Sequence, residues 1–460
     1  MTITPSVLRS GIAPGRVTGL LARERALFEQ RNPSSRALAS QAAAHLMFGV
    51  PLHWMSDWGT PFALQVSVAK GATLTDVDGH ELVDFCLGDT GAMFGHSPPA
   101  VASALQRQAV RGLTTMLASE DAEAVGRLLS DRFGLPRWQF AMTATDANRF
   151  VLRWLRAATG RRVVLVFNGC YHGTVDDAFV DLVDGRPVQR ASLLGQVHDL
   201  TATTRVVEFN DLVALEAALA PGDVACVLAE PVMTNIGMVL PEPGFWERAG
   251  ELVRRHGSLL VMDETHTLSS GPGGYARAHG VAADAVVVGK ALGGGMPCAA
   301  YGFSHDVARR AEAAKRAAVP GHSGIGTTLT ANLLAMAAMR ATLSELLIPE
   351  VFAPMQARAV RLAEALRGMV ARRGLPWCVT QVGARTELQF RAVPPRNGSE
   401  AAAAMDVELE HALHLYLLNR GVLITPFHNM MLVCPDTTDA HVERLCATLD
   451  AALEELGAAA

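Results

Sequence analysis

The stretch Asp284-Ala-Val-Val-Val-Gly-Lys-Ala-Leu-Gly-Gly-Gly-Met-Pro297 decides the fold. An apolar, β-branched run ends at Gly289-Lys290, and a glycine cluster follows. Such a run reads as a buried strand that stops at the edge of a site. Burial there makes an ammonium costly, lowers its pKa and turns a lysine amine into a nucleophile. Composition sharpens the point, because only three of the 40 basic residues are lysines: Lys70, Lys290 and Lys315. A chain that otherwise uses arginine retains lysine chiefly where guanidinium cannot substitute. Schiff-base chemistry, which needs an amine able to lose its proton, is such a place. Lys70 lies in the turn-like Ala69-Lys-Gly-Ala72, and Lys315 on a solvated helix face, Glu312-Ala-Ala-Lys-Arg-Ala317. The competing reading of Lys290 is a lysine snorkelling from a strand end.

On either side of this stretch, from about 100 to 345, helices and strands alternate. The strands are short and apolar: Val163–Phe167, Arg205–Phe209, Val224–Ala229, Leu259–Met262 and Ala285–Val288. Amphipathic helices are expected around 121–133, 146–158 and 245–256. Strands without polar alternation, separated by helices, predict an α/β domain whose mostly parallel sheet is covered on both faces. Ligands of such sheets bind beyond the carboxyl ends of the strands, where Glu230, Asp263 and Lys290 fall. Three segments are expected: an N-terminal arm with part of a small domain over 1–95, a large domain over 96–345, and a smaller α+β domain over 346–460. The aromatic stretch Pro51-Leu-His-Trp-Met-Ser-Asp-Trp58 needs a partner or a pocket to cover it.

Bulk properties exclude several classes. The net charge is −5 with both signs interspersed, so no basic stripe for nucleic acid is present. No apolar run reaches the length of a membrane span. The first twenty-three residues hold three arginines and no acid but lack the apolar core of a secretory signal, which fits an arm better than a leader. Seven scattered cysteines without a CxxC pair predict reduced thiols in a cytoplasmic protein, with neither a metal site nor a disulfide framework.

Asp263 ends its strand in Met262-Asp-Glu264, and Lys290 follows one βαβ crossover later. An acid and a lysine on neighbouring strand ends suit a plain ion pair. They also suit pyridoxal 5′-phosphate, which needs an amine for its aldehyde, a carboxylate for its ring nitrogen, and backbone N–H groups for its phosphate. Thr143-Ala-Thr-Asp146 opens a predicted helix and offers those N–H groups, while Tyr171 in Asn168-Gly-Cys-Tyr-His-Gly173 offers a flat partner.

With these motifs, and with Ala229-Glu-Pro-Val232, Gly289-Lys-Ala-Leu-Gly-Gly-Gly-Met-Pro297 and Gly326-Thr-Thr-Leu-Thr-Ala-Asn332, the chain resembles the class III pyridoxal-phosphate aminotransferases from about residue 62 onward. The branch is that of glutamate-1-semialdehyde aminomutase and the β-amino-acid aminotransferases. The resemblance implies fold type I, with Lys290 as Schiff-base lysine and Asp263 as partner of the pyridine nitrogen. It also implies phosphate binding by Thr143, Ala144 and Thr145, and ring contacts from Tyr171, His172 and Thr265. Glu230 and Asn235 match positions near the cofactor, and Thr328 is expected to reach the phosphate of a neighbouring subunit, making the active unit a homodimer with shared sites.

Three departures bear on substrate and mechanism. Ala144 replaces the glycine of the usual Ser-Gly-Thr loop; Thr265-His266 replaces a Val-led pair, with His266 either a polar pocket residue or a surface one; and the arginines expected to bind a substrate carboxylate are absent from Leu52–Trp58 and Thr425–Met430. Arg385 is a possible replacement or a plain domain-surface arginine, and Trp54, Trp58 and Phe427 suggest a bulky substrate pocket. The leading expectation is an aminotransferase acting on small-molecule amines and keto compounds by a ping-pong mechanism. An aminomutase and an inactive relative acting as a binding protein are the alternatives.

Overall fold

The computed structural model describes residues 10–458; residues 1–9 and 459–460, the outer ends of the expected arm and C-terminal domain, lie outside the described residues. Two compact units emerge, one of Pro98–Phe352 with Pro395–Ala403, the other of the described parts of Met1–Ser97, Ala353–Pro394 and Ala404–Ala460.

The first unit is built on a seven-stranded sheet. Its strands are β1 (Arg137–Ala141), β2 (Val163–Phe167), β3 (Thr204–Val207), β4 (Val224–Ala229), β5 (Leu259–Asp263), β6 (Ala285–Val288) and β7 (Ala299–Phe303). The order across the sheet is β1-β7-β6-β5-β4-β2-β3. The pairs β6–β5, β5–β4, β4–β2 and β2–β3 are parallel, whereas β7 runs antiparallel to both β6 and β1. Every residue of β2, β4, β5 and β6 is buried, as a sheet covered on both faces requires. The α/β expectation therefore holds.

Strands β1 and β7 escaped the sequence reading. β7 is Ala-Ala-Tyr-Gly-Phe, poor in β-branched residues, and it follows directly on the glycine cluster. Packing accounts for the glycine. Gly302 pairs with Trp138 across the antiparallel ladder, and a Cβ added to Gly302 would lie 2.6 Å from the indole ring.

The helix Ala144–Thr159 lies against this sheet. It buries Ala147, Phe150, Val151, Leu152 and Leu155 at helical spacing, and Phe150, Val151 and Leu155 join Val164, Val166, Val261 and Val287 in one core. Each such large side chain contributes about 1.5–3 kcal/mol on burial. The helix stops at Gly160, in the left-handed conformation at φ 67°. Its start is the more consequential end, because it faces the carboxyl edge of the sheet.

The second unit holds a sheet of Val66–Lys70, Thr73–Asp76, Glu81–Asp84 and Val422–Leu423, and another of Cys378–Val382, Arg385–Gln389 and Met430–Leu432. The helix Pro14–Arg31 is tied to the helix Val407–Asn419 by buried Glu24, which accepts from Asn419 Nδ2 at 2.8 Å and Arg420 Nη1 at 2.9 Å. Among the described residues no helix is long and apolar enough to cross a membrane.

Candidate active site

Three strand ends and one helix start define the site. Asp263 is the last residue of β5, Glu230 follows β4 directly, and Lys290 lies two residues beyond β6. Because β5 and β6 are parallel neighbours with Asp263 paired to Val287, the acid and the lysine leave the same edge of the sheet.

Asp263 is only 4% exposed and is held by three donors. Its Oδ2 accepts from Asn148 Nδ2 at 2.8 Å and meets His172 Nδ1 at 3.0 Å, while Oδ1 accepts from Thr265 N at 3.1 Å. Burial disfavours the charged carboxylate, but the hydrogen bonds from His172, Thr265 and Asn148 outweigh it and hold the pKa below the usual value. The same bond raises the pKa of His172 against the effect of its own burial. The result is a buried carboxylate whose charged form is favoured by the imidazole beside it. A carboxylate has about four lone-pair sites, so three donors leave room for one more.

Asn148 was missed in the sequence. It sits in the interior of the helix Ala144–Thr159, where asparagine is a poor helix former, and its Nδ2 also donates to His172 O at 3.1 Å. That misfit was the available signal.

The helix start is shaped from two sides. Thr143 is the N-cap, its hydroxyl accepting from Asp146 N at 3.1 Å, and Thr145 Oγ1 accepts from Thr174 N at 3.2 Å. A Cβ on Gly173 would fall 2.1 Å from Thr145 Oγ1, and one on Gly289 would fall 2.9 Å from Ala144 Cβ. The loops after β2 and β6 thus close on the first helical turn, whose N–H groups have no intrahelical acceptor. Such a terminus favours an anion.

Lys290 has φ 46°, left-handed backbone that a lysine adopts only under constraint. Its Nζ lies 2.5 Å from Nε2 of His266. His266 is 5% exposed, which favours the pocket reading over the surface one. Glu264 anchors that turn, accepting from Tyr275 N at 2.9 Å, from Ala276 N at 2.6 Å and from the Thr267 hydroxyl. Glu230 accepts from Thr234 Oγ1 at 2.5 Å and Asn235 Nδ2 at 3.2 Å, and burial raises its pKa.

Four buried atoms here, Asn148 Oδ1, His172 Nε2, Glu230 Oε1 and Thr265 Oγ1, have no hydrogen-bond partner among the described residues. Buried polar atoms are seldom left so, and their gathering around Asp263 marks a place for a polar ligand. A carboxylate with one open position, a constrained lysine and an anion-favouring helix start match the ring nitrogen, aldehyde and phosphate of pyridoxal 5′-phosphate. The residues fit the group.

The remaining expected residues are dispersed. Tyr171 is 40% exposed in the loop after β2, and Thr328 is exposed between the helices His305–Ala317 and Leu333–Ala341. Trp54, Trp58, Phe427 and Arg385 belong to the second unit. The rings of Trp54 and Trp58 lie 5.5 Å apart, and that of Phe427 lies 4.9 Å from His428. Arg385 is 1% exposed, so the domain-surface reading is corrected. Its Nη2 donates to Thr90 Oγ1 at 2.6 Å and its Nη1 lies 3.8 Å from Glu387, which in turn lies 3.5 Å from His428 Nδ1.

The profile of the family described as aminotransferase class-III matches residues 54–453. A glutamate-1-semialdehyde 2,1-aminomutase of Sorangium cellulosum is 35% identical over 86% of this chain and 90% of its own. The crystal structure of a glutamate-1-semialdehyde-aminomutase from Pseudomonas aeruginosa PAO1 superposes with a TM-score of 0.95 at 49% identity, covering 97% of this chain and 100% of that one. A lysine-to-alanine variant of the Pseudomonas protein is in complex with PMP. A β-phenylalanine aminotransferase from Variovorax paradoxus gives a TM-score of 0.85 at 28% identity, over 96% and 98% of the two chains. The chain belongs to the class III aminotransferase family, an enzyme of fold type I whose cofactor is pyridoxal 5′-phosphate.

Proposed function

We propose that the protein is an aminomutase of the glutamate-1-semialdehyde type, exchanging an amino and an oxo group between adjacent carbons of one substrate. The observation that carries this reading is the 49% identity, over nearly the whole of both chains, to the Pseudomonas aminomutase. On this reading 4-amino-5-oxopentanoate becomes 5-amino-4-oxopentanoate, an isomerisation in which every atom is retained and no external acceptor takes part.

When bound, the cofactor supplies an aldehyde that captures amino groups and a ring that takes up the electron pair left when a carbon loses its proton. In our proposal Lys290 Nζ would hold the aldehyde in the resting protein, and in turnover it would move the proton from the amino-bearing carbon to the neighbouring position. The Asp263 carboxylate, kept anionic by His172, Asn148 and Thr265, holds the proton on the ring nitrogen. Thr143, Ala144 and Thr145 would hold the phosphate at the helix start, and Tyr171, Thr265, Glu230 and Asn235 would contact the rest of the cofactor.

A second reading, amino transfer between two molecules, draws support from the likeness to the Variovorax aminotransferase. The first half of both reactions is the same, and only the fate of the amino group differs. Loaded protein given 4-amino-5-oxopentanoate alone should form many equivalents of product per active site. Product that stops near one equivalent until an oxo acid is added would replace the aminomutase by an aminotransferase. We further propose a homodimer in which Thr328 serves the partner's site, and a cytoplasmic setting in keeping with seven free thiols. Thr328→Val should weaken cofactor binding, and a sedimentation mass of one chain would refute the dimer.

A further inference from the structure

We propose that His266 is the catalytic base that readies Lys290, taking a proton from the lysine ammonium at Nε2 and handing it back later in the cycle. The inference rests on the cofactor assignment above and is independent of whether amino transfer is within or between molecules. It begins from the 2.5 Å between Lys290 Nζ and His266 Nε2. A contact that short needs one nitrogen to donate and the other to accept. An ammonium has donors only and an imidazolium has donors only, so the two groups are not both protonated. When the pair carries one positive charge, either the lysine is charged and the imidazole neutral, or the reverse. The transfer breaks one N–H bond at Nζ, leaves the electron pair there, and forms one N–H bond at Nε2, with the total charge unchanged. Only the second arrangement presents a nucleophilic amine.

The surroundings hold the two groups in this register. Lys290 is fixed by its left-handed backbone at φ 46°. His266 is fixed by the turn Glu264–Thr267, whose buried carboxylate accepts from the N–H groups of Tyr275 and Ala276 and from the Thr267 hydroxyl. Gly274, at φ +74°, lets the next segment approach that carboxylate, where a Cβ would fall 2.5 Å from it. Asp263, three residues before His266, has its pKa lowered by the hydrogen bonds from His172, Thr265 and Asn148, against its burial, which makes it a poor acceptor for the Lys290 proton.

The test follows cofactor capture, which needs the lysine amine and no substrate. Full-length protein stripped of cofactor would be mixed with pyridoxal 5′-phosphate at pH 7, and the rise of the visible band timed for the wild type, His266→Ala and His266→Gln. General-base assistance contributes about 10²–10⁴-fold, so both variants should capture at least ~10-fold more slowly while reaching the wild-type final band. Added imidazole, which fits the space left by alanine, should restore speed to His266→Ala alone. Glutamine keeps a hydrogen bond to Nζ but cannot carry the proton, so wild-type speed in His266→Gln would reduce His266 to a prop and overturn the proposal. A slowdown of less than ~2-fold in both variants would overturn it as well. A wild type that shows no band would refute the cofactor reading and this inference together.

Discussion

Replacing Asn148 by alanine tests how the site keeps its carboxylate charged. The side chain donates to Asp263 Oδ2 at 2.8 Å and to His172 O at 3.1 Å. A hydrogen bond to a charged group contributes about 1.5–3 kcal/mol and one to a neutral carbonyl about 0.5–1.5, so Asn148→Ala should destabilise the cofactor-free protein by roughly 3 kcal/mol. In an Asp263→Asn background the acceptor is neutral and the charge-assisted part disappears. The two substitutions should then couple by about 1 kcal/mol rather than add. Urea unfolding of the four proteins at pH 7, followed by tryptophan fluorescence, measures this cycle. Cofactor affinity offers a second readout, since an Asp263 with one donor fewer holds its charge less firmly; a loss of about 10-fold is expected. A cost below ~1 kcal/mol for Asn148→Ala, or single costs that add within ~0.3 kcal/mol, would refute the brace.

Gly173→Ala places a methyl 2.1 Å from Thr145 Oγ1 at a position with φ +79°, so the helix start must shift; cofactor affinity should fall at least ~10-fold while the melting temperature moves by only a few degrees. Arg385→Met removes the buried cation 3.8 Å from Glu387 and leaves His428, 3.5 Å away, still beside that carboxylate, and calorimetry should show a loss of up to about 3–5 kcal/mol; a solvated arginine would cost under ~1 kcal/mol. His414, buried with Nδ1 3.1 Å from Ile424 O, has its pKa pushed down to about 4 by burial, against the opposing pull of that carbonyl. The depressed value means that the folded state binds the proton less readily than the unfolded one. The stability this His contributes is thus full above about pH 6.5 and is lost as pH falls from there towards 4, by up to about 3 kcal/mol. His414→Gln should flatten that part of an acid-unfolding curve, and an unchanged curve would contradict the assignment.

Much of the large domain was legible because its strands are buried on both faces and therefore read as unbroken apolar runs; β2, β4, β5 and β6 lie where the runs lie. β7 was not, since a strand of alanines and a glycine under Trp138 is specified by a neighbour distant in sequence. Lys290 and Asp263 stood out through their position at strand ends. Asn148 and Glu264 did not, and His266 stayed open between pocket and surface, because their roles depend on which loops meet: each acts on a group that the fold, and not the sequence, brings beside it. His266 illustrates the limit. One residue after Thr265 the alternation of a strand would place it outward, yet the strand has ended at Asp263 and the turn held by Glu264 brings it to Lys290. Arg385 shows the converse, a charge that composition assigns to the surface and that Thr90 and Glu387 admit to the interior.

The scarcity of lysine makes the most direct measurement simple. Protein loaded with pyridoxal 5′-phosphate would be reduced with borohydride, digested, and its peptides weighed to find which lysine carries the cofactor. The account predicts label on Lys290 alone among Lys70, Lys290 and Lys315, and none in Lys290→Ala. Label on Lys70 or Lys315, or label that survives the loss of Lys290, would contradict it.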